Sequence, residues 1–390
     1  MYSKRIDVLE PSITIAISTL ARELKAQGKD VISFSAGEPD FDTPKAIKEA
    51  AIEAINKGET KYTAVAGTPE LLEAIKDKLA RENGLHYETN QILVSNGAKQ
   101  SLFNITQALI DEGDEVIIPA PYWVTYPELV KYAGGVPVII DADEQNGFKI
   151  KAHQLEEAIT PKTKMLILTS PSNPTGSVYT KEELEYLAKV LEGTDIIVVS
   201  DEMYEKLIFK DTKFVSVASI SEDMFNRTIT VNGLSKAVAM TGWRMGYLAS
   251  SNTELVKKMT SLQSQSTSNI NSITQYASIT ALDGTVDEDI ERMRQAFESR
   301  ADEAVKLFNA IDGISVRRPR GAFYLFVNIR DISNDSMQFC KDLLEQYGVA
   351  VVPGVGFGAE GYFRFSFATD MVTINEGIRR IAKFVRKLRG

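Results

Sequence analysis

The sequence predicts an α/β protein in two lobes: a large domain with a mainly parallel seven-stranded sheet flanked by helices, and a smaller C-terminal α/β domain. Three observations carry this expectation. At 390 residues the chain exceeds the length at which a single hydrophobic core stops growing. Short apolar runs alternate with amphipathic stretches of helical period, the rhythm of repeated strand and helix units. Several of those runs are apolar on consecutive positions, as strands buried on both faces of a parallel sheet are.

In chain order, residues 1–44 carry loop and helix signals but no strand with a sheet partner of its own. They are expected to pack beside the smaller lobe or across an interface. The large domain spans 45–287, with strands expected over 91–95, 115–118, 136–140, 164–169, 195–200, 228–231 and 245–249. Helices are expected between them, including 100–111 and 180–192. The latter opens on Thr180 with Glu183 three residues on, a pair that can cap each other's backbone amides. A polar stretch over 264–272 then leads to a long charged helix, 288–310. Strands over 322–327, 349–352 and 362–367 and a closing helix, 372–388, make up the small domain, 288–390.

With 44% hydrophobic and 25% charged residues, the composition is that of an ordinary globular protein. The formal net charge of −9 repels phosphate backbones. The basic clusters are confined to Arg317, Arg318 and Arg320 and to Lys383, Arg386, Lys387 and Arg389, so nucleic acid is not an expected partner. One cysteine, Cys340, cannot form an internal disulfide, and His86 and His153 cannot build a histidine-rich metal site. The expectation is metal-free chemistry in a reducing compartment. Apolar runs such as 165–168 and 196–199 fall far short of the roughly 20 residues that cross a membrane. The N-terminus lacks a signal peptide's apolar core, so a cytoplasmic protein is expected.

Chemistry concentrates after the strands. Lys236 follows the β-branched run 228–231, with small residues before it and Arg244 eight residues on. An amine so placed can form a Schiff base with an aldehyde cofactor that bears a phosphate. Asp201 closes a buried strand, so its carboxylate emerges at the carboxyl edge of the sheet, where α/β proteins bind ligands. There it can pair with a pyridine nitrogen and keep it protonated. Tyr204, three residues on, can reach a phenolic oxygen. Asn173 lies between Pro171 and Pro174, which restrict the backbone, can hold a cis bond and would aim the amide. The segment Ser95-Asn96-Gly97-Ala98-Lys99-Gln100 leads from a strand into a helix, whose first amides form an anion site. Arg364, within a strand-like run, offers a two-pronged match to a carboxylate. Gly37 would let the backbone approach a substrate closely.

Three segments taken together resemble the fold-type I aminotransferases that use pyridoxal phosphate, specifically the bacterial aspartate aminotransferase branch. They are Ser35-Ala36-Gly37-Glu38-Pro39-Asp40-Phe41, Ser170-Pro171-Ser172-Asn173-Pro174-Thr175-Gly176, and Ser235-Lys236 through Thr241-Gly242-Trp243-Arg244-Met245-Gly246. The similarity runs from Pro11-Ser12 to Arg364-Phe365-Ser366-Phe367. It implies that Asn173 and Tyr204 share the cofactor's phenolic oxygen, that Trp123 stacks on its ring, and that the amides of Gly97, Ala98 and Lys99 hold its phosphate with Arg244. It further implies that Tyr62 reaches the neighbouring subunit's phosphate, with Asn269 and Asn271 lining a site shared across a homodimer. In this branch Lys99, Ser12 and Thr14 stand where the substrate's acidic side chain is recognised. One departure is Gly233, three residues before the lysine, where many relatives have serine; Ser235 is a possible substitute for the missing hydroxyl.

The resemblance implies ping-pong transamination of aspartate with 2-oxoglutarate through Lys236, giving oxaloacetate and glutamate. Alternatives on the same fold are a glutamate/aspartate-prephenate or aromatic aminotransferase, and a β-lyase or decarboxylase. A non-enzymatic regulator would want an appended DNA-binding helix pair and a basic face, which the chain lacks.

Overall fold

The computed structural model describes residues 2–390. After β1 (Ile32–Ser33), seven strands build one sheet: β2 (Ile92–Ser95), β3 (Glu115–Ala120), β4 (Val136–Asp141), β5 (Thr163–Thr169), β6 (Ile197–Asp201), β7 (Thr228–Gly233) and β8 (Gly246–Ser250). Their order is β2-β8-β7-β6-β5-β3-β4. All neighbours are parallel except β8, which runs against both β2 and β7. Every residue of β2, β7 and β8 is buried, while the edge strand β4 is mostly open. Consecutive apolar residues thus mark the strands that have helices on both faces.

One face presents Leu93, Val199, Val231 and Leu248 to Leu102 and Ile105 of the helix Ala98–Leu109. The opposite face carries two separate apolar clusters, one around Ile92, Val94 and Tyr247 and one around Leu166, Leu168 and Val198. The helix Lys181–Leu191 begins with the expected reciprocal cap: Thr180 Oγ1 accepts from the Glu183 amide at 3.3 Å, and Glu183 Oε2 accepts from the Thr180 amide at 2.8 Å.

The remaining strands are β9 (Tyr324–Asn328), β10 (Val349–Ala350), β11 (Val352–Pro353) and β12 (Tyr362–Ser366). The antiparallel sheet β11-β12-β9 carries Arg364 at its centre. Two expectations fail here. Residues 1–44 do find a sheet partner, because Ile32 and Ser33 of β1 pair in parallel with Val349 and Ala350 of β10. The run 349–352 is two strands in two sheets. All four residues are fully buried, so no alternation marks the place where the chain changes sheet.

Because β1 is anchored on β10, the helix Ile13–Ala26 lies against Val31, Leu344 and Ala350 through Ile17, Ala21 and Leu24. Among the described residues no helix is long and apolar enough to cross a membrane.

Candidate active site

The carboxyl ends of β5, β6 and β7 open into a cavity of about 710 Å³. Its roof comes from the helix Ile13–Ala26 and the segment after β1, and one wall from β9 and β12. Of the residues expected at the site, Ser12, Thr14, Gly37, Ala98, Lys99, Trp123, Asn173, Asp201, Tyr204, Ser235, Lys236, Arg244 and Arg364 line it. Six basic side chains (Arg22, Lys25, Lys99, Lys236, Arg244, Arg364) and two acidic ones (Glu38, Asp201) face it, so its ligands should be anionic.

Lys236 sits three residues beyond β7, in the turn before Ala239, whose backbone is left-handed at φ 51°. Its Nζ donates to the Gly37 carbonyl. Burial, and then the positive charge of Arg364, bring its pKa down to about 8. Asp201 ends β6 and is 5% exposed. Its Oδ2 accepts from Tyr126 Oη at 2.6 Å, and its Oδ1 from the Met203 amide at 3.2 Å. Burial raises its carboxyl, while the Tyr126 hydrogen bond lowers it.

Arg364 is 2% exposed. Its Nη1 donates to Asn173 Oδ1 at 2.9 Å and its Nη2 to the Ser35 carbonyl at 2.8 Å. Its guanidinium lies over the Tyr324 ring, 4.5 Å from the centroid. Its Nε is buried without an acceptor, an arrangement that invites an anionic ligand. Asn173 follows the cis Ser170–Pro171 bond and precedes the cis Asn173–Pro174 bond. With Oδ1 held by Arg364, its Nδ2 is left to donate. Tyr204 Oη is 2.9 Å from Tyr324 Oη, and burial holds Tyr204 well above its ordinary pKa.

At the start of the helix Ala98–Leu109, the amides of Ala98 and Lys99 have no acceptor among the described residues. Arg244, itself left-handed at φ 60°, donates to the Thr241 carbonyl at 2.9 Å and the Asn96 carbonyl at 3.2 Å. Gly97 lies behind that guanidinium rather than on the cavity wall; a Cβ there would stand 2.5 Å from Arg244 Nη2. Lys99 Nζ lies 4.9 Å from the centre of the Trp123 ring, and burial, with Arg244 beside it, lowers its pKa. The Gly233 departure has a local cause, since a Cβ there would come within 2.8 Å of the Met245 carbonyl. Ser235, 7% exposed on the cavity wall, is the hydroxyl that remains.

A pyridoxal phosphate molecule fits this donor set. The two free helix-start amides and Arg244 suit a phosphate, the buried Asp201 carboxylate suits a pyridine nitrogen, and the Lys236 amine suits an aldehyde.

Three expected residues lie elsewhere in the single chain. Tyr62 is 92% exposed and away from the cavity. Asn269 Nδ2 donates to the Ile270 carbonyl at 2.7 Å, and Asn271 caps the helix Ser272–Leu282 through the Thr274 amide at 2.9 Å. Sequence reasoning missed Tyr126, Tyr324 and the Ser18–Ser35–Ser33 hydroxyl chain, linked by contacts of 2.9 Å. Tyr126 had one available signal. It stands three residues after Trp123, whose carbonyl accepts from the Tyr126 amide at 3.0 Å just before the helix, and the two rings meet edge to face at 5.5 Å.

The model of the family "Aminotransferase class I and II" matches residues 29–381. An aspartate aminotransferase of Bacillus sp. (strain YM-2) is 48% identical over 99% of both chains. A probable aspartate/prephenate aminotransferase of Aquifex aeolicus (strain VF5) is 46% identical, again over 99% of both. The crystal structure of the aspartate aminotransferase from Rhizobium meliloti superposes with a TM-score of 0.96 at 44% identity, covering 99% of each chain. The matched segment holds the strand ends, the helix-start anion site and the buried lysine, so the chain belongs to the class I and II aminotransferases, enzymes that depend on pyridoxal phosphate.

Proposed function

We propose that this enzyme is an aspartate aminotransferase that passes the amino group of aspartate to 2-oxoglutarate, leaving oxaloacetate and glutamate. The observation that carries the reading is one cavity holding Lys236, the almost fully buried Arg364 with its unpartnered Nε, and Lys99. The names of the relatives support aspartate as donor.

Bound pyridoxal phosphate supplies an aldehyde for the substrate amine and an electron-withdrawing ring that makes the Cα proton removable. Arg364 binds the α-carboxylate with its fork, and Gly37 leaves room for the substrate against the backbone. Lys99, with Ser12 and Thr14, holds the side-chain carboxylate. Trp123 would cover the ring face, while Asn173 and Tyr204 would donate to its phenolic oxygen. The Asp201 carboxylate would pair with the ring nitrogen. Ala98, Lys99, Arg244 and Ser235 would hold the phosphate, with Gly97 setting the turn. Lys236 Nζ, with a pKa of about 8, is neutral in a useful fraction near neutrality and would serve as the base that takes the Cα proton of a bound substrate.

The same reading makes the enzyme a cytoplasmic homodimer in which Tyr62, Asn269 and Asn271 serve the partner's site. The 92% exposure of Tyr62 supports this. It also takes 45–287 as a large domain and 288–390 as a small one, with residues 1–44 an N-terminal segment packed against the small domain, supported by the β1–β10 pairing. A second reading, prephenate as an acceptor, is favoured by the names of relatives such as the Aquifex protein.

The test is turnover with aspartate against 2-oxoglutarate, prephenate and an aromatic oxo acid, in wild type and Lys236→Ala. The variant should fold normally and lose activity by about four orders of magnitude or more. Near-normal turnover in it, or no turnover of aspartate by the wild type, overturns the proposal.

A further inference from the structure

We infer that Tyr126 is a positioning residue that keeps the Asp201 carboxylate ionised and aimed, at the end of a relay running Thr169 Oγ1 to Tyr126 Oη to Asp201 Oδ2. The inference rests on the reading in which Asp201 faces the cofactor's ring nitrogen.

A phenol carries one hydrogen. Tyr126 Oη lies 2.6 Å from Asp201 Oδ2, a carboxylate oxygen that can only accept when ionised, so that hydrogen goes to Asp201. Thr169 Oγ1, 2.7 Å from the same phenol, must then be the donor to Tyr126. The backbone fixes the three together. Thr169 and Asp201 are register partners at the ends of β5 and β6, and Tyr126 stands in the first turn of the helix Thr125–Ala133. Tyr126 is 2% exposed, and its hydroxyl meets two fixed partners, Asp201 and Thr169. Burial and the adjacent carboxylate hold the phenol well above its ordinary pKa, and it stays a donor throughout the working range.

Burial disfavours the ionised form of Asp201, and a neutral acid would not hold a protonated ring nitrogen. A short hydrogen bond to the ionised form opposes that tendency.

The experiment is cofactor titration of the cofactor-free protein, read by fluorescence, for wild type, Tyr126→Phe, Asp201→Asn and the double variant. Phenylalanine keeps the ring against Trp123 and removes one oxygen. Tyr126→Phe should weaken cofactor binding about tenfold or more in the Asp201 background and by less than about twofold in the Asp201→Asn background. It should also raise the Asp201 carboxyl frequency's titration midpoint in difference infrared spectra. A purely structural role would lower affinity equally in both backgrounds. Equal loss in both, or no loss in the first, overturns the inference while leaving the Asp201 reading intact. Unchanged affinity in Asp201→Asn alone overturns that reading and the inference with it. If Tyr126→Phe does not fold, Thr169→Val probes the same relay, with a loss of about threefold expected and none overturning it.

Discussion

Glu202, the neighbour of Asp201, gives the sharpest stability prediction. It is 1% exposed. Its Oε1 accepts from Ser200 Oγ at 2.8 Å, Ser216 Oγ at 2.7 Å and the Val217 amide at 3.2 Å, while Oε2 has no partner. Burial, followed by the charge of Glu205, pushes its pKa up to about 7 from an ordinary 4.5. Between those values the folded chain holds a proton that the unfolded chain has released, so stability falls as pH rises through the window. The loss is roughly 3 kcal/mol at pH 8 and under about 1 kcal/mol at pH 5. Glu202→Gln mimics the protonated acid, keeping Oε1 for its three donors and placing an NH₂ at the unpartnered corner. The variant should therefore be more stable than wild type at pH 8 by about 3 kcal/mol. For a chain of this length that is a rise of about 4 °C in Tm, from about 2.1 cal/mol/K of unfolding entropy per residue. Scanning calorimetry at pH 5 and pH 8 reads it. A Tm difference that is the same at both pH values, or a variant less stable at pH 8, refutes the assignment of a buried, reluctantly ionised Glu202.

Arg364→Lys keeps the charge and loses the fork, so kcat/KM for aspartate should fall by about a hundredfold or more in steady-state assays; a loss under tenfold would remove Arg364 from carboxylate binding. Gly246→Ala places a Cβ 2.2 Å from the Ala98 nitrogen. It should displace the helix start, cost about 1–3 kcal/mol in denaturant unfolding and weaken cofactor binding; unchanged cofactor affinity would detach that helix start from the phosphate. In the cofactor-free protein, succinate should bind about tenfold more weakly at pH 9 than at pH 7 by calorimetry, because Lys236 loses its charge through a pKa of about 8. A flat pH dependence would contradict a cationic Lys236 facing the ligand.

What the sequence made legible was whatever local chemistry signals. Fully buried strands such as β7 announce themselves as unbroken β-branched runs, and Thr180 with Glu183 announces a helix start, because the atoms that interact are neighbours in the chain. Residues at strand ends could be placed at a site because every parallel strand delivers its carboxyl end to one edge. The pairing of Ile32 with Val349 was invisible, since two residues make no period and their partners lie more than three hundred positions away. The tie of Tyr126 to Asp201 was invisible for a related reason. Asp201 is 75 residues on, and the hydrogen bond exists only because β5 and β6 bring their ends together. Asn173 was found, but its tie to Arg364, 191 residues away, was not.

The electrostatics of the cavity explain why these distant partners matter. Lys99, Lys236 and Arg364 all have lowered pKa values, with burial the first cause in each. For the two lysines the next cause is a neighbouring arginine: Arg244 for Lys99 and Arg364 for Lys236. Cations crowded in this way destabilise one another until an anion arrives. A phosphate beside Arg244 relieves Lys99, and a carboxylate on Arg364 relieves Lys236, so each anionic ligand binds to a site already strained towards accepting it. A carboxylate on Arg364 also removes part of what lowers the Lys236 pKa, which makes its amine a stronger base once the substrate is in place. On the proposed reading, binding and proton transfer are then coupled through one guanidinium, and a ligand lacking the α-carboxylate would forfeit both.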